Sequence, residues 1–127
     1  MFYTENELSK IIVNCCFKIH STLGPGLFES VYENILAYEI SKENLKIEIQ
    51  KALPVYYEDV KMDIGFRTDI IVENKVIIEI KSVEELNKVH YKQLQTYLKL
   101  TNMKLGLLIN FNENLIKEGI HRVVNNL

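Results

Sequence analysis

The sequence predicts a mixed α/β fold, and two observations support this. Apolar residues recur at helical spacing near the N-terminus and again around residue 90, whereas β-branched residues dominate the segments between and after them. The predicted order of elements is α-α-β-β-β-α-β-β, and a mixed sheet with helices on its faces is the simplest packing of that order. With 127 residues, 47% of them hydrophobic, the chain fits a single domain over residues 1–127.

Two helices are predicted first. Residues 4–22 form one, with Thr4 and Glu7 as a capping box, and the Gly24-Pro25-Gly26 turn ends it. Its expected buried stripe is Leu8, Ile11, Ile12, Cys15, Ile19 and Leu23. The neighbouring Cys15 and Cys16 point in different directions on a helix and are interpreted as core thiols of a reducing compartment.

The second helix runs from about Leu27 to Lys42. Its apolar arc is expected to centre on Val31, Ile35 and Tyr38, with Ser30, Asn34 and Ala37 facing solvent. Glu29 and Glu33 lie beside Leu36 and Ile40 instead of on that solvent face. For Glu29 two interpretations stay open: a partner of the helix N-terminal dipole, or an inward carboxylate that ligates a metal or positions water.

The later segments read mainly as strands. Residues 47–60 are β-like, and residues 66–72 and 76–82 form a hairpin around Glu73-Asn74-Lys75. After a helix at 87–101, the apolar run 105–111 predicts a strand that is covered on both faces, and residues 115–124 predict one more strand.

The hairpin carries the candidate chemistry. If Val72 pairs with Val76, Asp69 lies opposite Glu79 and Arg67 lies opposite Lys81. Like charges opposed on a sheet repel each other, so a strand pair selected only for stability would avoid them. A divalent cation held by Asp69, Glu79 and the backbone carbonyl of Ile80 would reverse that interaction, with Lys81 alongside to orient or deprotonate the attacking water.

The third helix adds polar candidates. Its solvated face is expected to hold Lys88, Lys92, Gln95 and Lys99, whose charges either contact DNA or keep the protein soluble. Its packed side is expected to hold Val89, Tyr91, Leu94, Leu98 and Leu100. Gln93, His90 and Tyr97 fall within the packed arc. Gln93 either satisfies the core or contacts substrate, because a buried amide needs a hydrogen-bond partner. His90 is either a site residue or a rim or core histidine.

Together these residues resemble the PD-(D/E)XK nuclease superfamily, in which an Asp on one strand precedes E-x-K on the next, here Asp69 and Glu79-Ile80-Lys81. The Q-x-x-x-Y of Gln93 to Tyr97 is similar to a motif of the RecB-like branch. The segment from Gly26 to Tyr32 matches the G-x-x-E-x-x-Y signature of the GxxExxY family. A proline does not precede the strand Asp, since Arg67-Thr68 stands there.

The resemblance implies a restriction-endonuclease-like core, α-β-β-β-α-β, that hydrolyses phosphodiester bonds of DNA with Mg²⁺ or Mn²⁺. It implies Asp69, Glu79 and Lys81 as catalytic residues, with Glu29 and Gln93 beside them. Asp69, Glu79, the Ile80 carbonyl and Glu29 are the expected metal ligands. The candidate substrate contacts are Tyr97, His90 and Tyr32.

The alternative to an enzyme is a non-catalytic module that binds nucleic acid or protein and retains the nuclease fold. The net charge of −2 excludes a protein that grips nucleic acid by bulk positive charge, so binding is expected to depend on a local site. A cytoplasmic protein is expected, without membrane association, because the sequence shows neither a secretory signal nor a membrane-spanning apolar run. A homodimer is expected too, since so small a chain covers little duplex.

Overall fold

A computed structural model describes residues 2–127. The elements in chain order are helices α1 (Glu5–Leu23) and α2 (Glu29–Ser41), strands β1 (Ile47–Leu53), β2 (Tyr56–Tyr57), β3 (Val60–Lys61), β4 (Phe66–Val72) and β5 (Val76–Lys81), helix α3 (Lys88–Thr101), strand β6 (Leu105–Asn110), a 3-10 helix (Ile116–Gly119) and strand β7 (Ile120–Val124). The α/β prediction is confirmed. Two details differ: residues 47–60 divide into β1 and part of a small hairpin, β2–β3, and a 3-10 helix replaces the first half of the last predicted strand.

The main sheet has five strands in the order β1-β4-β5-β6-β7. β5 and β6 are parallel, and every other neighbouring pair is antiparallel. The α3 helix connects the parallel pair, as a crossover between parallel strands requires. All six residues of β6 are buried, which confirms the prediction of a strand covered on both faces.

Helices cover the sheet on both sides. Residues of α1 and α2 pack with Ile70, Ile78, Ile80 and their neighbours on one face, and α3 packs with Ile71 and Ile77 on the other. This is the alternation that a pleated strand imposes, since successive side chains point to opposite faces. Ile71 and Ile77, at odd-numbered positions of β4 and β5, therefore face α3.

The first helix begins as predicted. The Thr4 hydroxyl accepts a hydrogen bond from the Glu7 amide at 3.1 Å, and the Glu7 carboxylate accepts one from the Thr4 amide at 2.9 Å. Cys15 and Cys16 are both buried and free, as predicted. Leu23, expected in the buried stripe, is instead 43% exposed at the end of the helix.

The predicted apolar arc of α2 is wrong in its centre. The buried residues are Tyr32, Leu36, Ala37 and Ile40. Tyr38 is exposed and Ala37, expected in solvent, is buried. The reason is that α2 packs against both α1 and the sheet, so its contact face follows Leu36 and Ile40. Glu33 lies next to this face and is half-buried, in line with its expected place beside Leu36 and Ile40.

The helix α3 also departs from its predicted wheel. Leu94 and Leu98 are buried as expected, but Val89 and Leu100 are exposed. Gln95, assigned to the solvated face, is half-buried and donates a hydrogen bond to the Val124 carbonyl. The buried face of α3 is therefore narrower than predicted and centres on Leu94 and Leu98.

Across residues 2–127, none of the helices combines the length and apolar character that a membrane span requires.

The contact between α3 and β6 provides a test of the packing. A Cβ atom at Gly106 of β6 would lie 2.8 Å from Cγ of the fully buried Leu94. We expect Gly106→Ala to lower the free energy of unfolding by about 1–3 kcal/mol, as overpacking does, measured by urea denaturation. The double variant Gly106→Ala, Leu94→Ala should show a smaller loss than the sum of the two single losses. Additive losses would contradict the contact.

Candidate active site

The site lies where β4 and β5 separate. Their antiparallel ladder pairs Val72 with Val76, as predicted, and ends at Ile70 and Ile78. Beyond this point β4 pairs only with β1, while β5 stays paired with β6 as far as Lys81. The predicted pairing of Asp69 with Glu79 is therefore not part of the ladder.

The Asp69 carboxylate takes the place of the missing backbone pair. Its Oδ2 accepts a hydrogen bond from the Ile80 amide at 2.8 Å, which satisfies a donor that a continued ladder would have used. The predicted pairing of Arg67 with Lys81 is wrong for the same reason. Arg67 lies opposite Ala52 of β1 and donates to the Gln50 carbonyl at 2.8 Å.

Gln50 joins Asp69 to a carboxylate of α2. The Gln50 side-chain amide donates to Asp69 Oδ1 at 3.1 Å and to Glu33 Oε1 at 2.5 Å. Gln50 has a φ of 51°, in the left-handed region, and it interrupts the ladder between Ile49 and Lys51. A non-glycine residue in this region costs free energy, and such residues cluster at functional sites. Burial raises the pKa of the Glu33 carboxyl, the bond from Gln50 opposes that rise, and the charge of Asp69 adds to it.

Glu79 is the most perturbed acid of the site. Its side chain is 8% exposed, and burial, followed by the charge of nearby Asp69, raises its pKa to about 9. The charge of Lys81 acts in the opposite direction but is the weaker influence. Glu79 is therefore a protonated acid at neutral pH when no cation is present. Lys81 is half-buried at the end of β5.

Glu29 lies at the start of α2 and is exposed. Its Oε2 accepts a hydrogen bond from the Ser82 amide at 3.3 Å, directly after Lys81. Glu29 and Glu33 both line a cavity of 230 Å³ together with Ser30, Gln50 and Asp69. The structure thus brings Glu29 to the same cavity as Asp69, and it adds Glu33 closer to that carboxylate.

Tyr32 lies in the core and not on an accessible surface. Its side chain is fully buried and its ring stacks on Phe111 at 4.5 Å between centroids. The hydroxyl donates to the Gly24 carbonyl at 2.5 Å and accepts from the Leu27 amide at 3.2 Å. The position of Tyr32 contradicts the predicted direct contact with substrate, because no part of the side chain is accessible; the residue instead holds the loop that precedes α2.

The α3 candidates lie on the other side of the carboxylates. Tyr97 stacks on Phe66 of β4, and burial followed by the charges of Glu79 and Asp69 raises the pKa of its phenol. The nearby Gln93 amide has the opposite, weaker effect on that pKa. Gln93 is exposed, in contrast to its predicted place in the packed arc, so its amide can bond with water and needs no partner within the protein. His90 is half-buried, and its Nδ1 accepts from the Asn87 amide at 3.1 Å at the start of the helix.

The donor set of this site fits a divalent cation that prefers oxygen. Asp69 and Glu79 are close enough for one charge to raise the pKa of the other, and a cation between them would relieve that repulsion. Among residues 2–127, no group of three or more His, Cys, Asp or Glu side chains is arranged to hold a metal ion. A cation at Asp69 and Glu79 would therefore draw its other ligands from backbone carbonyls, water, substrate or a carboxylate that reorients when the cation binds.

Gln50 and Ser82 did not figure among the predicted site residues. Gln50 lies on β1, and neither the period of that strand nor its composition indicates a left-handed backbone conformation at this position. Ser82 directly follows the E-x-K residues, and that adjacency was the available signal. The helical wheel places Glu33 beside Leu36 and Ile40, but nothing in the sequence indicates a role for its carboxylate.

The raised pKa of Glu79 predicts how the free energy of unfolding depends on pH. The folded chain, with a pKa of about 9, retains a proton that the unfolded chain releases above about 4.5. The free energy of unfolding of the unmodified protein should therefore fall with rising pH across this window, relative to Glu79→Gln, by up to about 1.4 kcal/mol per pH unit. Urea unfolding of both proteins between about pH 5 and about pH 9 measures the difference. Parallel pH profiles for the two proteins would contradict the burial of an ionisable acid here.

A comparison against protein families agrees with the fold. A family model of the PD-(D/E)XK nuclease superfamily matches residues 6–123, which is nearly the whole chain. The implied core order α-β-β-β-α-β is present as α2, β1, β4, β5, α3 and β6. No curated protein and no solved structure matches the chain significantly. On the extent of the family match, the chain belongs to the PD-(D/E)XK nuclease superfamily.

Proposed function

We propose that the protein hydrolyses phosphodiester bonds in DNA with the help of a divalent metal ion. The observation that carries the proposal is the apposition of Asp69 and Glu79 at the separation of β4 and β5, with Lys81 at the end of the same strand as Glu79. Two acids held this close and this buried do not both ionise readily, so one of them keeps its proton until a cation replaces it. Membership in a nuclease superfamily supports the reaction class. The motif from Gly26 to Tyr32 further supports placing the chain in the GxxExxY family.

Mg²⁺ or Mn²⁺ is the proposed metal, with Asp69, Glu79 and the Ile80 carbonyl as ligands. Glu29 is an additional proposed ligand, because it lines the same cavity as Asp69. The cation, when bound, would supply Lewis-acid activation of the phosphate. Because Glu79 is protonated at neutral pH without it, metal binding should release a proton.

Lys81 supplies the proposed positive charge next to the carboxylates. Its ammonium group would orient the attacking water by hydrogen bonding and stabilise the negative charge that develops on the phosphate oxygens. Its attraction to Glu79 is already visible as a lowering influence on the pKa of that acid. Removing Lys81 should therefore affect the chemical step more than the fold, since the side chain is only half-buried.

The α3 residues are proposed to contact substrate next to the carboxylates. Tyr97 keeps its phenolic proton at neutral pH, because its pKa is raised, and can donate to a phosphate oxygen. Gln93 is exposed beside it and can donate its amide protons in the same direction. His90 stays a proposed contact at the start of the helix, although one of its ring nitrogens is already engaged. A homodimer also stays a prediction.

Cleavage assays test the reaction. We expect Asp69→Asn and Lys81→Ala each to reduce DNA cleavage by about 100-fold or more, the range for loss of a charged group that acts on the transition state. Lys104→Ala is the matched control, because Lys104 is exposed and precedes Leu105, which pairs with Val76 at the opposite end of β5. It should cleave like the unmodified protein. Full activity of Asp69→Asn would locate the reaction elsewhere.

Metal titration tests the ligands separately from the reaction. Calorimetry should show Mn²⁺ binding that Asp69→Ala abolishes. The apparent affinity of the unmodified protein should rise by up to about tenfold per pH unit toward pH 9, since one proton is displaced from Glu79. Lys81→Ala should still bind the metal. An affinity that does not change with pH would remove Glu79 from the ligand set.

A further inference from the structure

A second cavity adjoins the site, and Glu29 is the one residue of its lining that has a role in the proposed reaction. It measures 510 Å³ and is lined by residues 26–30, Ser82 and Asn112. Glu29 and Ser30 line this cavity and also the 230 Å³ cavity that contains Asp69. The two spaces therefore adjoin at Glu29 and Ser30, with Phe28 lining one of them and Asp69 the other.

Two hydrogen bonds of the Leu27 backbone fix the wall of the larger cavity. The Leu27 amide donates to the hydroxyl of Tyr32 at 3.2 Å, and the Leu27 carbonyl accepts from the hydroxyl of Ser82 at 2.6 Å. Ser82 directly follows Lys81, so this loop is attached next to the proposed reacting groups. A group in the cavity would thus be held at a defined place relative to the carboxylates.

Phe28 is placed on this loop without a structural reason for being aromatic. Its side chain is 82% exposed, and it occupies the N-cap of α2 without capping the helix. Ser, Thr, Asp or Asn would stabilise the helix better at that position. An exposed aromatic ring at the wall of a cavity is suited to stacking with another flat ring.

The chemistry of the cavity favours a nucleobase over a phosphate. Its lining contains no Lys or Arg, and the Glu29 carboxylate would repel an anion. The same carboxylate accepts hydrogen bonds, as does the hydroxyl of Ser30, while the amide of Asn112 can donate as well. These groups complement the edge of a base.

We propose that this cavity takes an unpaired nucleobase, stacked on Phe28, while the adjacent phosphate reaches Asp69 and Glu79. The inference rests on the proposed function and narrows its substrate to nucleic acid with a single-stranded segment. A base in a duplex presents neither its face nor its pairing edge to such a cavity, because stacking and pairing occupy both.

Fluorescence provides the test, since the chain contains no Trp. Phe28→Trp introduces a single Trp at the wall of the cavity, and its indole can be excited at wavelengths where the seven Tyr of the chain do not absorb. Its emission should be quenched by a short oligothymidine or oligouridine in buffer containing EDTA, where no metal-dependent cleavage occurs. A blunt duplex should not quench it. The two oligonucleotides distinguish DNA from RNA as the source of the base.

Phe2→Trp is the matched control. Phe2 is 95% exposed, and the neighbouring Tyr3 accepts a hydrogen bond from Lys75 at the turn between β4 and β5, the end of β5 opposite Lys81. Its emission should not change. In fluorescence anisotropy with labelled oligonucleotide, Phe28→Ala and Phe28→Leu should both weaken binding by roughly 5- to 150-fold, the range for one lost base-aromatic stack, while Phe28→Trp and Phe2→Ala should bind like the unmodified protein.

Three results would overturn the inference. One is equal quenching by blunt duplex and single strand. Another is unweakened binding by Phe28→Leu, which keeps an apolar side chain but has no aromatic face. A third is a loss of self-association in Phe28→Ala with binding unchanged, which would make Phe28 an interface residue. Each can occur while Asp69→Asn still abolishes cleavage, so failure here is distinct from failure of the proposed reaction.

Discussion

The hydrogen bond from the Ile80 amide to the Asp69 carboxylate is the interaction on which the site depends. It satisfies the backbone donor that is left without a partner when β4 and β5 separate, and so permits a gap within an otherwise continuous sheet. In the same gap, Glu79 is buried beside Asp69. A sheet that stayed paired would have had no room between these strands for a cation and a phosphate.

Separation of the two strands has consequences on both faces of the sheet. On one side α2 brings Glu33 and Glu29 to the gap, with the Gln50 amide bridging Glu33 to Asp69. On the other, α3 brings Tyr97, which stacks on Phe66. The close contact of Leu94 with Gly106 fixes the distance of α3 from the sheet. The site is therefore assembled from α2, α3 and the strands β1, β4 and β5, which apolar packing on both faces of the sheet holds in place.

The sequence predicted most of this arrangement, and its failures have physical causes. The pairing of Val72 with Val76 and the closeness of Asp69 to Glu79 were predictable, because the period of a pleated strand fixes which positions meet. The point at which the β4–β5 ladder ends was not predictable. It depends on the Asp69 carboxylate, which accepts the hydrogen bond of the Ile80 amide in place of a backbone carbonyl. Helical wheels failed at Tyr38 and Gln93, because the width of a buried face depends on which elements a helix meets in the fold. The left-handed conformation of Gln50 was not predictable from the residue pattern of β1.

The charge of the molecule restricts how it can bind a polyanion. With a net charge of −2 and an acidic gap, long-range attraction and counterion release contribute little to affinity. Binding energy would then have to come from the proposed short-range interactions: a cation shared between carboxylates and phosphate, the Lys81 ammonium, and stacking on Phe28. The proposed stacking would require a base that is free to leave a helix, and all three interactions would act within about one nucleotide. A small acidic protein that bound in this way would recognise a short single-stranded segment better than it would hold a long stretch of duplex.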